Sequence, residues 1–307
     1  MKPKIAALIT ASGGIGSHFV LHKLQGHKNI VTLNESAFRS QGGSSKGDLK
    51  RYLSQGGLPN LHPEQLHPRK TIADPSTEWL IMNKPPLKMI NYHRTFHPDI
   101  PVLYIFRNPV SFYFTWIKKW REYGNRRYGH RHPEISDDQV FNWFKTTFMS
   151  SLFELAQNFD KKRDRIVSFE HFFSNIDEEL KGIFDCLGVE NVKSENLETM
   201  SVCNVCGSEK VERKVVSVRA GRQEEVLVCP RHGPVLGPGE YNYIRKEEAS
   251  FLNKWKKNEN IEEASKKFIP LFGEDIIDYF HNEEYLLDKD RSKYDTIIGK
   301  FLEGLKV

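Results

Sequence analysis

The opening of the chain constrains its fold more than any other stretch. Ile5-Ala-Ala-Leu-Ile-Thr10 is a short apolar run that passes directly into Ala11-Ser-Gly-Gly-Ile-Gly16, and the residues from about Ser17 to Gly26 then read as a helix. A buried strand that turns through glycines into a helix is the start of an α/β layer fold. Such a turn exposes backbone N–H groups and adds the partial positive charge of a helix N-terminus, so it can cradle a phosphate or sulfate. Gly13, Gly14 and Gly16 permit positive φ and close approach of the backbone to a ligand. Ser12, Ser17 and His18 can add side-chain donors. No Lys-Ser/Thr pair follows the last glycine, so this is not a Walker A loop, and one glycine of a dinucleotide fingerprint is missing. A tight turn with no ligand is the plain alternative.

Further strands alternate with helices. Ile30–Leu33, Trp79–Met82, Val102–Phe106 and Arg165–Ser168 read as strands; residues 110–123, 136–159 and 176–187 read as helices. That alternation predicts a parallel sheet flanked by crossover helices. Residues 40–76, rich in Gly, Ser, Pro, His and Lys, read as long loops with a short helix. Helical pattern returns from about Arg245 to Phe280, and a last charged helix covers roughly 286–305.

In an open α/β sheet, ligands sit beyond the carboxyl ends of the strands. Three strands here end in ligand-capable residues: the glycine turn, Lys84-Pro85, and Arg107-Asn108-Pro109. Gly16-Ser17-His18-Phe19, Ile81-Met-Asn-Lys84-Pro85 with Phe96-His97-Pro98-Asp99, and Arg107-Asn108-Pro109 with Thr115 follow one another in a particular order. Ser168-Phe169-Glu170-His171-Phe172, Cys186-Leu187-Gly188 and Leu271–Ile276 come after them. This series resembles the P-loop-like sulfotransferases that use 3′-phosphoadenosine 5′-phosphosulfate (PAPS). The resemblance covers residues 5–200 and about 245–282. It implies a P-loop NTPase-like fold and transfer of a sulfuryl group to a hydroxyl or amine of an acceptor. That acceptor is a sugar, peptide, lipid or small alcohol, with a carbohydrate among the candidates. It also implies roles. Gly13, Gly14, Gly16, Ser17 and His18 would hold the 5′-phosphosulfate, and Arg107 and Thr115 the 3′-phosphate. Lys84 would reach the sulfuryl group and its leaving oxygen, and Phe169 would stack on adenine. The basic residue usual before the first turn's Ser/Thr-Gly core is absent; Gly14 and Ile15 stand there. For the general base, Glu35 after the second strand is the first candidate; His18, His93 and His97 are alternatives.

Cys203-x-x-Cys206 and Cys229-x-x-His232 are separated by 22 residues that contain two β-rich runs, 214–218 and 226–228. Two such knuckles on a hairpin form a zinc-ribbon pattern, and with all four positions filled by protein the zinc would be structural. Cys186, in an apolar helix, reads as core. The expected organisation is therefore residues 1–200 and 236–307 as one α/β sulfotransferase domain, with 201–235 as a zinc-ribbon insertion.

The 307 residues carry a formal net charge of +5. That is mild for a dedicated nucleic-acid binder and suits anionic small ligands. Ribbons do bind nucleic acid, so a non-catalytic zinc-ribbon nucleic-acid-binding protein is the rival; a nucleotide-dependent kinase is disfavoured by the absent Lys-Ser/Thr. The basic, aromatic stretches 118–123 and 126–132 could face an acidic or sugar acceptor, and Arg245-Lys246 could join the 3′-phosphate site. No apolar run is long enough to span a membrane, and the first strand is too short for a signal peptide. A cytoplasmic protein is expected.

Overall fold

The computed structural model describes residues 4–10, 16–33, 76–83, 90–91, 94–95, 98–117, 136–197, 212–218, 222–230, 233–234, 254–257 and 260–306. The strands are β1 (Lys4–Thr10), β2 (Ile30–Leu33), β3 (Trp79–Asn83), β4 (Val102–Phe106) and β5 (Arg165–Ser168), followed by β6 (Glu212–Val218), β7 (Arg222–Cys229) and β8 (Gly233–Pro234). The helices are α1 (Ser17–Gln25), α2 (109–117), α3 (Asp137–Asn158), α4 (His171–Ser174), α5 (Ile176–Leu187), α6 (Ile261–Phe272), α7 (Glu274–His281) and α8 (Ser292–Gly304).

The first five strands form one parallel sheet flanked by helices, as the alternation of elements predicts, and their order is β2-β3-β1-β4-β5. β3 lies between β2 and β1 and runs parallel to both, with Leu33 opposite Met82 and Leu8 opposite Asn83. The carboxyl ends of these three strands therefore share one edge. β1 is buried from Ile5 to Ile9 and β4 throughout, which is why both read as unbroken apolar runs.

The chain divides into two compact units. The first holds Met1–Ile9, Ser17–Leu103 and Leu180–Arg245. Its core gathers Ala6, Ala7 and Leu8 of β1, Val20 and Leu24 of α1, and Val31, Leu80 and Ile81 of the neighbouring strands. The His27 ring is buried against Phe184, with centroids 4.8 Å apart, and its Nε2 lies 2.9 Å from the Glu190 carbonyl. β6, β7 and β8 form a separate antiparallel sheet, in which Val218 pairs with Arg222 and Cys229 with Gly233. The expected hairpin is thus present and extended by a third strand.

The second unit holds Thr10–Gly16, Tyr104–Glu179 and Lys246–Val307. α3 begins with a capping box: Ser136 Oγ accepts from the Gln139 N–H, and the Gln139 side chain accepts from the Ser136 N–H. Val140, Phe144, Phe148, Leu152 and Leu155 line its buried face at helical spacing. Phe144 and Phe148 stack at 5.2 Å and meet Phe106, Phe112, Phe268 and Phe272 in one aromatic core.

The C-terminal helices differ from expectation in two places. Gly273, at φ +83°, divides α6 from α7. The last helix starts at Ser292, because Asp288 and Asp290 accept the N–H groups of residues 292–294 and Arg291 adopts φ +64°. Residues 245–253, expected to be helical, lie outside the described residues. Cys186, expected in the core, is half-buried.

Arg291 is held in its left-handed conformation from all sides. It donates to both the Ile166 carbonyl and Asp295 at 2.8 Å, pairs with the buried Glu179 at 2.7 Å, and stacks over the Tyr294 ring. Removing one partner of such a pair strands the other charge. Glu179→Ala should therefore lower unfolding stability by roughly 3–5 kcal/mol in chemical denaturation.

Candidate anion-binding site

The Arg107-Asn108-Pro109 triplet works as a unit. β4 ends at Phe106, so Arg107 leaves the sheet edge on rigid backbone. Asn108 is the cap of α2: its Oδ1 accepts the Val110 and Ser111 N–H groups at 3.0 and 3.3 Å. Pro109, whose missing N–H costs nothing there, occupies the first helical position. The Arg107 guanidinium then lies along α2. Its Nη2 donates to Ser111 Oγ at 3.1 Å and to Thr115 Oγ1 at 3.2 Å, and Thr115 donates in turn to the Ser111 carbonyl at 3.0 Å.

β5 supplies the other wall. Phe169 donates its N–H to the Phe106 carbonyl at 2.9 Å, which ties the two strand ends together. Its ring lies over the Arg107 guanidinium at 4.6 Å. On another side the ring abuts Gly16, the last residue of the glycine turn. Gly16 has φ +98°, and a Cβ there would come within 2.0 Å of the Phe169 ring. Both the backbone conformation and the space at position 16 thus demand glycine.

The electrostatics follow from burial. Arg107 is only 6% exposed. Desolvation lowers its pKa to about 10 against the pull of Glu170, so it keeps its charge at neutral pH. Glu170 is itself buried, and its Oε1 accepts the Asn108 N–H at 3.0 Å. Burial pushes its carboxyl up to about 7, opposed by Arg107 and the Asn108 N–H. Burial thus works against the charge on both groups, in surroundings that screen an ionic contact poorly.

Of the residues singled out in the sequence, Gly16, Arg107, Thr115 and Phe169 meet in this one unit. Phe169 is 3% exposed, with its ring committed to Arg107 and Gly16. Ser17 is buried as the first residue of α1. His18 belongs to α1 by its backbone. Ser12, Gly13, Gly14, Glu35, Lys84, His93, His97, Cys203, Cys206 and His232 lie outside the described residues, as do the basic stretches 118–132 and 245–246. Cys229 ends β7. Among the described residues no group of three or more His, Cys, Asp or Glu side chains could hold a metal, and no helix is long and apolar enough to cross a membrane. Ser111 and Glu170 were not read as site residues. Ser111 is detectable as the midpoint of an i, i+4, i+8 series from Arg107 to Thr115.

No family model matches the chain, and no curated protein matches it. Its structural neighbours among solved proteins are sulfotransferases. The sulfotransferase domain from the curacin biosynthetic pathway is 14% identical with a TM-score of 0.49, covering 87% of this chain and 98% of that one. The sulfotransferase domain of the Synechococcus PCC 7002 olefin synthase is 15% identical with a TM-score of 0.45, covering 87% and 95%. Mouse sulfotransferase SULT7A1, complexed with PAP, is 13% identical with a TM-score of 0.41, covering 87% and 89%. These are distant similarities, and the chemistry of the site rests on its own geometry.

Gly16→Ala should lower stability by about 1–3 kcal/mol, from backbone strain and the displaced Phe169 ring. Gly304→Ala, where a Cβ meets nothing within 4 Å, is the control and should leave the denaturation midpoint nearly unchanged.

Proposed function

We propose that the protein is a sulfotransferase that uses PAPS as donor. The carrying observation is a buried guanidinium at the end of β4, with two hydroxyls at hydrogen-bond distance. A planar guanidinium on a rigid strand end, with hydroxyls for the remaining oxygens, suits a terminal phosphate. In this reading Arg107, Ser111 and Thr115 hold the 3′-phosphate. The turn ending at Gly16 presents backbone donors to the 5′-phosphosulfate.

In the reaction an acceptor hydroxyl or amine attacks sulfur. The bond from sulfur to the bridging phosphate oxygen breaks, and adenosine 3′,5′-bisphosphate leaves. Charge grows on the transferred and leaving oxygens, where backbone N–H groups and one lysine can stabilise it without a metal. Lys84 directly follows Asn83, the end of β3, and Asn83 pairs with Leu8 near the end of β1. That register supports Lys84 as the lysine. Glu35, two residues beyond β2, is the proposed base that takes the acceptor proton. The acceptor belongs to the class of hydroxyl or amine compounds, with a carbohydrate among the candidates.

The same reading assigns a structural zinc to Cys203, Cys206, Cys229 and His232. Cys229 pairs with Gly233, and His232 is one of the three residues between them in sequence, a spacing that suits a metal knuckle. Zinc bound there would supply folding energy to the hairpin.

Two measurements test these assignments. Arg107→Ala should weaken adenosine 3′,5′-bisphosphate binding by roughly 2–4 kcal/mol, and weaken adenosine 5′-phosphate binding far less. Equal loss for both would remove Arg107 from the 3′-phosphate site. A preference for oligonucleotides with steep salt dependence would move the protein to the nucleic-acid-binding class. Elemental analysis should find about one zinc per chain, lost together with stability in Cys229→Ser; stable protein without zinc would remove the ribbon assignment.

A further inference from the structure

Glu170 is a buried titratable group for which the transfer reaction has no use. It is 3% exposed; Oε1 accepts the Asn108 N–H at 3.0 Å, and Oε2 is buried without a hydrogen-bond partner. It sits between Phe169, whose ring covers Arg107, and His171, which is anchored to the Asp288 carbonyl at 3.0 Å. A carboxylate with one bonded and one orphaned oxygen, fully desolvated beside an anion site, is costly as a permanent charge.

We propose that Glu170 is a positioning residue that holds the Arg107-Asn108 strand end and takes up a proton when an anion binds at Arg107. The proposal rests on the nucleotide reading above. Its physical basis is like-charge repulsion: Glu170 accepts the N–H of the residue next to Arg107, so with the dianionic 3′-phosphate in place the carboxylate faces a like charge in a medium that screens poorly, and protonation relieves it. The bond to the Asn108 N–H survives protonation, because an acceptor oxygen remains.

Burial also pushes Glu179, beside Ser168, up to about 7. Glu179 is paired with Arg291 and not with the anion site, so the titration linked to the ligand falls on Glu170. Burial already pushes its carboxyl up to about 7, so little free energy separates its two forms near neutrality. From the β4 end it faces Arg107, which stays charged below about 10. From α8 it faces Tyr294, whose hydroxyl burial raises far above its ordinary value. Its neighbour His171 has its pKa lowered by burial and then by Arg291, so it is neutral above pH 7. The second ionisation of a phosphate monoester, near 6, is also complete by then.

The sign follows. The binding-competent form is protonated, and its population falls as pH rises through the raised pKa. Affinity for adenosine 3′,5′-bisphosphate should fall about tenfold per pH unit between pH 7.5 and 8.5. In Glu170→Gln, which keeps the acceptor for Asn108 but cannot ionise, affinity should stay level over that range and exceed wild type at its upper end. Calorimetry on the full chain at pH 8, in two buffers of different ionisation enthalpy, should show uptake of roughly one proton per ligand. Adenosine 5′-phosphate should show none. The wild-type measurement stands even if the variant folds poorly. Arg107-dependent binding with no proton uptake, or the same uptake in Glu170→Gln, would overturn the role of Glu170 alone. Failure of adenosine 3′,5′-bisphosphate to bind at any pH would overturn the nucleotide reading, and this inference with it.

Discussion

Desolvation of the Arg107 guanidinium is the constraint around which the site is arranged. A buried cation must be hydrogen-bonded, stacked or countered, and here each device comes from a different segment. α2 supplies the hydroxyls of Ser111 and Thr115, the residue after β5 supplies the Phe169 ring, and the next supplies the carboxyl of Glu170. The Phe169 ring in turn leaves no room for a side chain at Gly16. One charge thus sets the residue type at several positions, including a glycine whose freedom otherwise looks like a property of its own turn.

The strands of the main sheet were legible because apolar runs bounded by Gly, Lys-Pro or Arg-Asn-Pro leave little choice of period or end. That Arg107 and Thr115 meet follows from spacing, because strand, cap and helix follow one another without interruption; the role expected of them came from the family resemblance. Glu170 was visible only as a member of a short motif. Its bond to the Asn108 N–H joins residues 62 positions apart, and local pattern carries no trace of it. The break before α8 was missed because the charged stretch 286–305 keeps helical periodicity, while the aspartates that interrupt it act through backbone N–H groups. Cys186 was misplaced because an apolar helix has a margin as well as a face.

The small antiparallel sheet shows how far backbone register alone can go. Pairing of Glu212 with Val228 and of Cys229 with Gly233 fixes a three-stranded antiparallel sheet. That register arises from β-branched residues and glycine. The proposed metal ligands are a separate layer of information, carried by the cysteine spacing alone.

The clamp on Arg291 has a consequence for the order in which the molecule is made. Its guanidinium binds the carbonyl of Ile166, 125 residues earlier, and the carboxyl of Glu179, 112 residues earlier. β5, which leads directly into Phe169 and Glu170, therefore leaves the ribosome long before its final support exists. Contacts of such sequence separation close slowly, because loop entropy must be overcome before they contribute. During synthesis the first unit can collect most of its strands while the second waits. The cluster around Arg107 thus belongs to the unit whose support is completed last, and a nascent chain stalled before α8 would hold its parts without the clamp on β5.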